Sequence, residues 1–201
     1  MTPHRHHMFE VLQSDAFSVC LGPSTGPDIL FFKRFRDNWS KLRYRTPRER
    51  QAPIIPVNDD VKTFITEQRN LKYPRADYKE FLNLAASAVA LDVEVRIQKP
   101  GALHRARWMA KAIYSLKIEL LYEGNETVLQ LSARELMGIQ RFNRFVVCVY
   151  MQSWFSCRFA ADAAINDISL INRLHDYDDL ELQRVGLKMM ARHSWYLSLE
   201  L

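Results

Sequence analysis

This sequence predicts a mainly α fold, seven to eight helices with at most one or two short strands, and three observations carry that reading. Only 6 glycines occur in 201 residues, too few for a sheet protein punctuated by glycine turns. Apolar residues make up 48% of the chain and recur at helical spacing. Two capping-box spacings, Ser132 to Glu135 and Asp178 to Glu181, each open an apolar run. The length suits one domain, or one domain with a short N-terminal appendage.

The first helix, over 8–20, is weakly patterned and ends in a turn-rich run, Gly22-Pro23-Ser24-Thr25-Gly26-Pro27. The second starts near Asp28 and lines up Leu30 or Phe31, then Phe35, Trp39 and Leu42 on one face. Pro47, Pro53 and Pro56 keep 46–56 irregular. Asn58 or Asp59 is a good N-cap for a third helix to about Leu71, and Pro74 separates it from a fourth over 76–90. Val93, Val95 and Ile97 alternate with Glu94 and Arg96, the pattern of a short strand or extended segment. Pro100-Gly101 then turns the chain into a fifth helix over 104–122, whose Ala106, Met109, Ile113, Leu116 and Leu120 form a buried stripe opposite Arg107 and Lys111. The Ser132 box launches a long, central apolar helix to about Phe155. One more helix starts within 163–167, and a last one opens at Asp178 and continues through Met189 and Trp195. The domain organisation expected from these breaks is an N-terminal helical segment over 1–45, a proline-rich linker over 46–56, and a helical domain over 57–201 packed as one unit with 1–45.

The net charge is +5, and it is unevenly spread. Lys33, Arg34, Arg36, Lys41, Arg43, Arg45, Arg48 and Arg50 face only Asp37 and Glu49 in their stretch, and Lys99, Arg105, Arg107, Lys111 and Lys117 face no acid in theirs. Such segregation makes an electrostatic footprint for phosphates, or else a solvated helix face and a basic linker. No run approaches the ~18 apolar residues of a membrane span, and no signal peptide is expected, so the chain is read as intracellular. Three cysteines, Cys20, Cys148 and Cys157, have no metal-ligand spacing. On one helix Cys148 and Cys157 stand about 14 Å apart along the axis, too far for a disulfide, which suits three buried, reduced thiols.

The chemistry-bearing residues give no complete catalytic set. His4, His6 and His7 cluster at the N-terminus, but no Cys or carboxylate stands at zinc-ligand spacing beside them, and a frayed or partly packed start is the simpler reading. His104, His175 and His193 are isolated. Asp59-Asp60, and Asp176 with Asp178 and Asp179, most simply begin helices. A two-metal nuclease needs several carboxylates converging on one pocket, with the first on a central strand, and no such strand is evident. Neither a phosphate-binding glycine loop nor a nucleophile elbow is present. Trp39, Trp108, Trp154 and Trp195 sit in apolar helical contexts as core residues. Trp108, flanked by Arg105, Arg107 and Lys111, is the one placed to border a phosphate-binding face.

Several stretches carry a family resemblance: Arg5-His6-His7-Met8-Phe9-Glu10, the run 21–35, the run 99–114 from Lys99-Pro100-Gly101 through Trp108-Met109 to Tyr114, Ile165-Asn166-Asp167-Ile168, and Arg192-His193-Ser194-Trp195-Tyr196-Leu197-Ser198. In this order they resemble a group of multicopy proteins abundant in arthropod and cnidarian genomes, which look like derivatives of a DNA transposon with a ribonuclease H-like, hAT-type transposase organisation. The resemblance implies that the chain corresponds to the helical insertion region of such an enzyme. The family's first catalytic aspartate, in an F-D-T-T-like motif upstream of the His-His segment, then falls outside this sequence. His4 stands where the family has a cysteine, and Glu200 falls near the place of a final acid without partner aspartates. The expectation is therefore a catalytically inactive, transposase-derived fragment, nuclear, without cofactor or metal, that binds DNA weakly and without sequence preference. Arg105, Arg107 and Lys111 are its expected phosphate contacts, backed by Lys33, Arg34 and Arg36. The alternative is a helical protein-interaction or oligomerisation module with no nucleic-acid role.

Overall fold

The computed structural model describes residues 3–23, 29–45, 49, 52–101, 109–157 and 159–194, the side chains of 3–5 and 160 excepted. In chain order the helices are α1 (Pro3–Leu21), α2 (Leu30–Asp37), α3 (Asp59–Arg69), α4 (Ala76–Ala88), α5 (Met109–Tyr122), the single turn α6 (Glu126–Leu129), α7 (Ala133–Phe145), α8 (Met151–Ser156), α9 (Ala163–His175) and α10 (Leu180–His193). Short 3₁₀ turns follow α2 at Trp39–Lys41 and precede α9 at Ala160–Asp162. The fold is mainly α, and no strand occurs among the described residues. The chain divides into two compact units, the first formed by Met1–Pro23 with Phe145–Leu201 and the second by Ser24–Arg144.

In the first unit α1 packs along α10, and α9 along both α8 and α10. The buried face of α1 is Met8, Phe9, Leu12, Gln13, Ala16, Phe17 and Cys20, a full helical stripe that the polar Gln13 disguises in the sequence. Phe9 meets the edges of Tyr150 and Trp154 at 5.9 and 5.6 Å between ring centroids, favourable aromatic geometry. Gly22, at φ +87°, ends α1 in the left-handed conformation that glycine adopts without strain. Gly186 has a different reason: a Cβ there would stand 2.4 Å from Leu174 Cδ2, so a larger residue would force the Leu174 side chain to move where α10 packs on α9.

The long helix expected over 133–155 is interrupted by a π turn at Val146–Tyr150. Its valines Val146, Val147 and Val149 are stiff, weak helix formers, and the carbonyls of Cys148 and Val149 accept from Gln152 Nε2 and Ser153 Oγ at 2.6 and 3.1 Å. The last helix is capped by Asp179, not Asp178: its carboxylate accepts from the amides of Glu181 and Leu182. Cys20 and Cys157 are buried, whereas Cys148 is half-buried.

In the second unit α5 is central. Instead of one apolar stripe it is buried around almost its whole circumference between Met109 and Leu121, with Lys117 and Glu119 inside. Packing against α4 covers one side, and the aromatic rings of α2 reach Tyr114. Phe31, Phe32 and Phe35 are the buried residues of α2, while Leu30 is exposed. Asn58 caps α3, its side chain accepting from the Val61 amide, and the Ser132–Glu135 capping box forms in both directions at 2.8 and 3.2 Å. The proline-rich segment over 46–56 lies inside this unit: Ile55 is buried and its amide donates to the Ala88 carbonyl at 3.0 Å. The alternating run over 93–97 forms no strand; side chains of α5 hold the chain just beyond it, at Gln98 and Gly101.

Candidate nucleic-acid interface

Charge sorts with the two units. The second contains 22 Lys and Arg against 14 Asp and Glu, a net +8, whereas the first contains 6 against 9, a net −3. Within the second unit, two irregular segments carry exposed cations, and each is fastened by polar side chains. The first is the stretch after α2. Asn125, buried, grips it with both ends of its amide: Nδ2 donates to the Arg43 carbonyl at 2.7 Å and Oδ1 accepts from the Arg43 amide at 3.0 Å. Tyr44 and Ser87 share a hydroxyl–hydroxyl bond of 2.8 Å, and Arg45 pairs with Glu123 at 2.8 Å.

The second segment is 93–101. Lys117, 2% exposed, donates to the Gln98 carbonyl at 2.9 Å and pairs with Glu80 at 2.7 Å. The Tyr114 hydroxyl donates to the Gly101 carbonyl. Val95 and Pro100 are buried while Glu94, Arg96, Gln98 and Lys99 are exposed, so the alternation foreseen for a strand operates here on a strap. Burial of ionic groups is costly unless they are paired, and the Lys117–Glu80 pair meets that condition while also fixing the strap.

The two segments meet at a cleft of about 380 Å³ lined by Trp39, Arg96, Ile97, Gln98 and Lys99. Trp39 is half-buried, its ring held edge-on by Phe35 at 5.6 Å, and Phe35 in turn packs on Tyr114 of α5. Desolvation pushes the Tyr114 hydroxyl above its ordinary range, with the nearby Arg36 charge opposing. Among the described residues Lys33, Arg36, Arg43, Arg96 and Lys99 make no ion pair with a carboxylate.

The six cations expected to meet phosphate have different fates. Lys33 is exposed and Arg36 half-buried. Arg34 serves the fold: it donates to Glu135 at 2.6 Å and to the Gln130 carbonyl at 2.8 Å. Although burial opposes it, the Ser132 amide and the Arg34 guanidinium hold the Glu135 carboxyl below its usual range. Lys111 is half-buried on α5, and desolvation lowers its pKa. Arg105 and Arg107 lie outside the described residues, as do Trp108, His104 and Glu200. Sequence reasoning did not single out Arg96 for this role, nor Trp39 as a wall of the cleft, nor Asn125 and Lys117 as the fasteners. Their partners lie 82 and 19 residues away along the chain for Asn125–Arg43 and Lys117–Gln98, beyond any local motif.

The first unit offers a different concavity, about 270 Å³ between α1 and α10, where Lys188 and Arg192 stand with Asp15, Ser18 and Met189 and, among the described residues, no aromatic ring. In the same unit His6 packs on Trp154 at 5.0 Å and His7 on His193 at 5.8 Å. Among the described residues no three His, Cys, Asp or Glu side chains group to hold a metal ion, and no helix is long and apolar enough to cross a membrane. No protein-family model, curated protein or solved structure matches this chain.

Proposed function

We propose that this chain is a transposon-derived, non-catalytic protein whose second unit binds DNA through backbone phosphates. The observation that carries the reading is that, among the described residues, Arg43 on the stretch after α2, Arg96 and Lys99 on the strap, and Lys33 and Arg36 on α2 make no ion pair, in the unit with net charge +8. Lys33, Arg36, Arg43, Arg96 and Lys99 are the contacts favoured by geometry. Arg105, Arg107 and Lys111 belong to the same reading from the sequence, where the resemblance to transposon derivatives is also densest. Point charges on a scaffold of buried polar ties position phosphates without reading base edges, so binding is non-specific and depends steeply on salt. Its compartment is the nucleus.

The test is an anisotropy titration of the full chain against a generic duplex across a salt series. Affinity is expected to fall linearly on a log–log plot, with the slope reduced by roughly 0.9 for each phosphate contact removed. An Arg36/Arg96/Lys99 triple-alanine variant and an Arg105/Arg107/Lys111 triple-alanine variant apportion those contacts. No binding by the folded chain at low salt, or binding indifferent to salt, overturns the proposal. Magnesium- or manganese-dependent cleavage of plasmid, abolished by chelator, would replace it with an enzyme. The first unit favours a second reading, a protein-interaction module, because Phe159, Ile165 and Leu180 are large apolar side chains about two-thirds exposed. A stable dimer by light scattering, without DNA affinity, selects that one.

A further inference from the structure

The cleft holds more than a phosphate site requires. Phosphates of a duplex are met by cations on an open surface, and neither an aromatic plate nor a recess adds to that contact. Here the half-buried Trp39 lies in the same recess as Arg96, Gln98 and Lys99. Phe35 meets the indole in a T-shaped contact, at 85° between ring planes. The strap opposite is fixed at the Gln98 carbonyl by Lys117, which leaves the Gln98 side chain exposed. A stacking plate, an amide with both donor and acceptor, and two cations without ion pairs are the complement of an unpaired nucleobase with its flanking phosphates.

We infer that the Trp39 cleft receives one unpaired base, so that the second unit prefers single-stranded nucleic acid over duplex. The inference rests on the nucleic-acid reading above and adds the strand state of the ligand. A base stacked and paired inside a duplex cannot enter the recess without being extruded, which costs unstacking and unpairing free energy. A single strand avoids that cost, and stacking tolerates every base because each presents a π face.

The experiment uses the full chain and oligonucleotides of roughly 16 nucleotides, the upper span of one small binding fold. Single-stranded DNA, RNA of the same sequence and the corresponding duplex are titrated in parallel over one salt series. Either single strand is expected to bind about tenfold more tightly than duplex. Trp39→Leu should weaken single-strand binding by roughly 5- to 150-fold, the range of one stacked base. Its duplex affinity and salt slope should stay as in the wild type, and Trp39→Phe, which keeps a ring, should restore most of the loss. Duplex bound as tightly as both single strands overturns the inference, as does a folded Trp39→Leu that binds single strands undiminished or loses both ligands equally. If Trp39→Leu does not fold, the wild type is titrated with a single strand made wholly of abasic sites: weaker binding supports a base in the cleft, and equal binding overturns it. Binding of duplex and single strands alike leaves the phosphate reading standing; binding of neither removes both.

Discussion

The two units share a fold class but hold their irregular chain differently. The first is knit by apolar and aromatic contacts: Phe9 against Tyr150 and Trp154, Gly186 against Leu174, Phe145 against Tyr177. The first also buries Gln13, Ser153, Asp167 and Ser194; in the second the charged Lys117 and Glu119 and the amide Asn125 lie inside. Each of these reaches a partner: Lys117 the strap at Gln98, Asn125 the stretch at Arg43, and Glu119 the Asn143 amide at 2.6 Å. Buried polar groups rarely improve stability over apolar ones. Their use here is positional, because a strap with no strand partner needs its carbonyls satisfied by something. The unit whose buried Lys117 and Asn125 fasten irregular segments is also the one with the cationic surplus, which is why the candidate interface belongs to it.

The largest effect separates the units by stability. Phe9→Ala empties a site that is fully buried and should cost about 3–5 kcal/mol. Thermal melting checks the size. Measured well below the melting point, nucleic-acid affinity should be unchanged, and a parallel loss of affinity would break the assignment of binding to the second unit alone.

Lys117→Met comes next and should move both quantities. It leaves the Glu80 carboxylate, 20% exposed, without its cation and the Gln98 carbonyl without its donor. Loss of one partner from a buried pair costs about 3–5 kcal/mol, and the partial exposure of Glu80 puts this variant at the lower end. Single-strand affinity should fall about tenfold as the strap loosens, a drop of about 1.4 kcal/mol. Adding Glu80→Leu sharpens the comparison: chemical denaturation should show part of the stability restored, whereas affinity should stay low because Gln98 is still untied.

These fasteners mark where the sequence stops being readable. Local signals served well: the Asn58 cap, the Ser132–Glu135 box and the helical periodicity of Met109, Ile113 and Leu116 each predict an element that forms. Charge-run reasoning found the second unit's basic stretches but could not sort their members. Arg34 and Arg36 are two residues apart in one run, yet Arg34 is taken by Glu135 and Arg36 is not. The first unit was not legible as a unit, since it joins chain segments more than a hundred residues apart and the stripe on α1 is broken by Gln13. The strand expected over 93–97 had the right alternation, and what it lacked, a partner strand, is a property of the rest of the chain.

Glu135→Gln gives the smallest effect and a pH signature. The folded carboxyl sits below its usual range through the Ser132 amide and Arg34, against the opposing effect of burial. A depressed carboxyl contributes stability above its unfolded pKa, about 4.3, and loses it as pH falls through the folded value. The substitution should therefore cost about 1 kcal/mol at neutral pH, the size of a cap with a partly screened ion pair. The gap from wild type should close in acid, as denaturation at a series of pH values would show. A gap that stays constant would mean that shape, not charge, holds the start of α7.

The division of labour between the units is tested most directly by hydrogen exchange on the full chain, with and without a saturating single-stranded oligonucleotide. Backbone protection is expected to rise over 39–45 and 93–101 and to stay level in α1 and α10. Protection that instead gathers along α1 and α10, beside Lys188 and Arg192, would contradict it and move the ligand to the first unit.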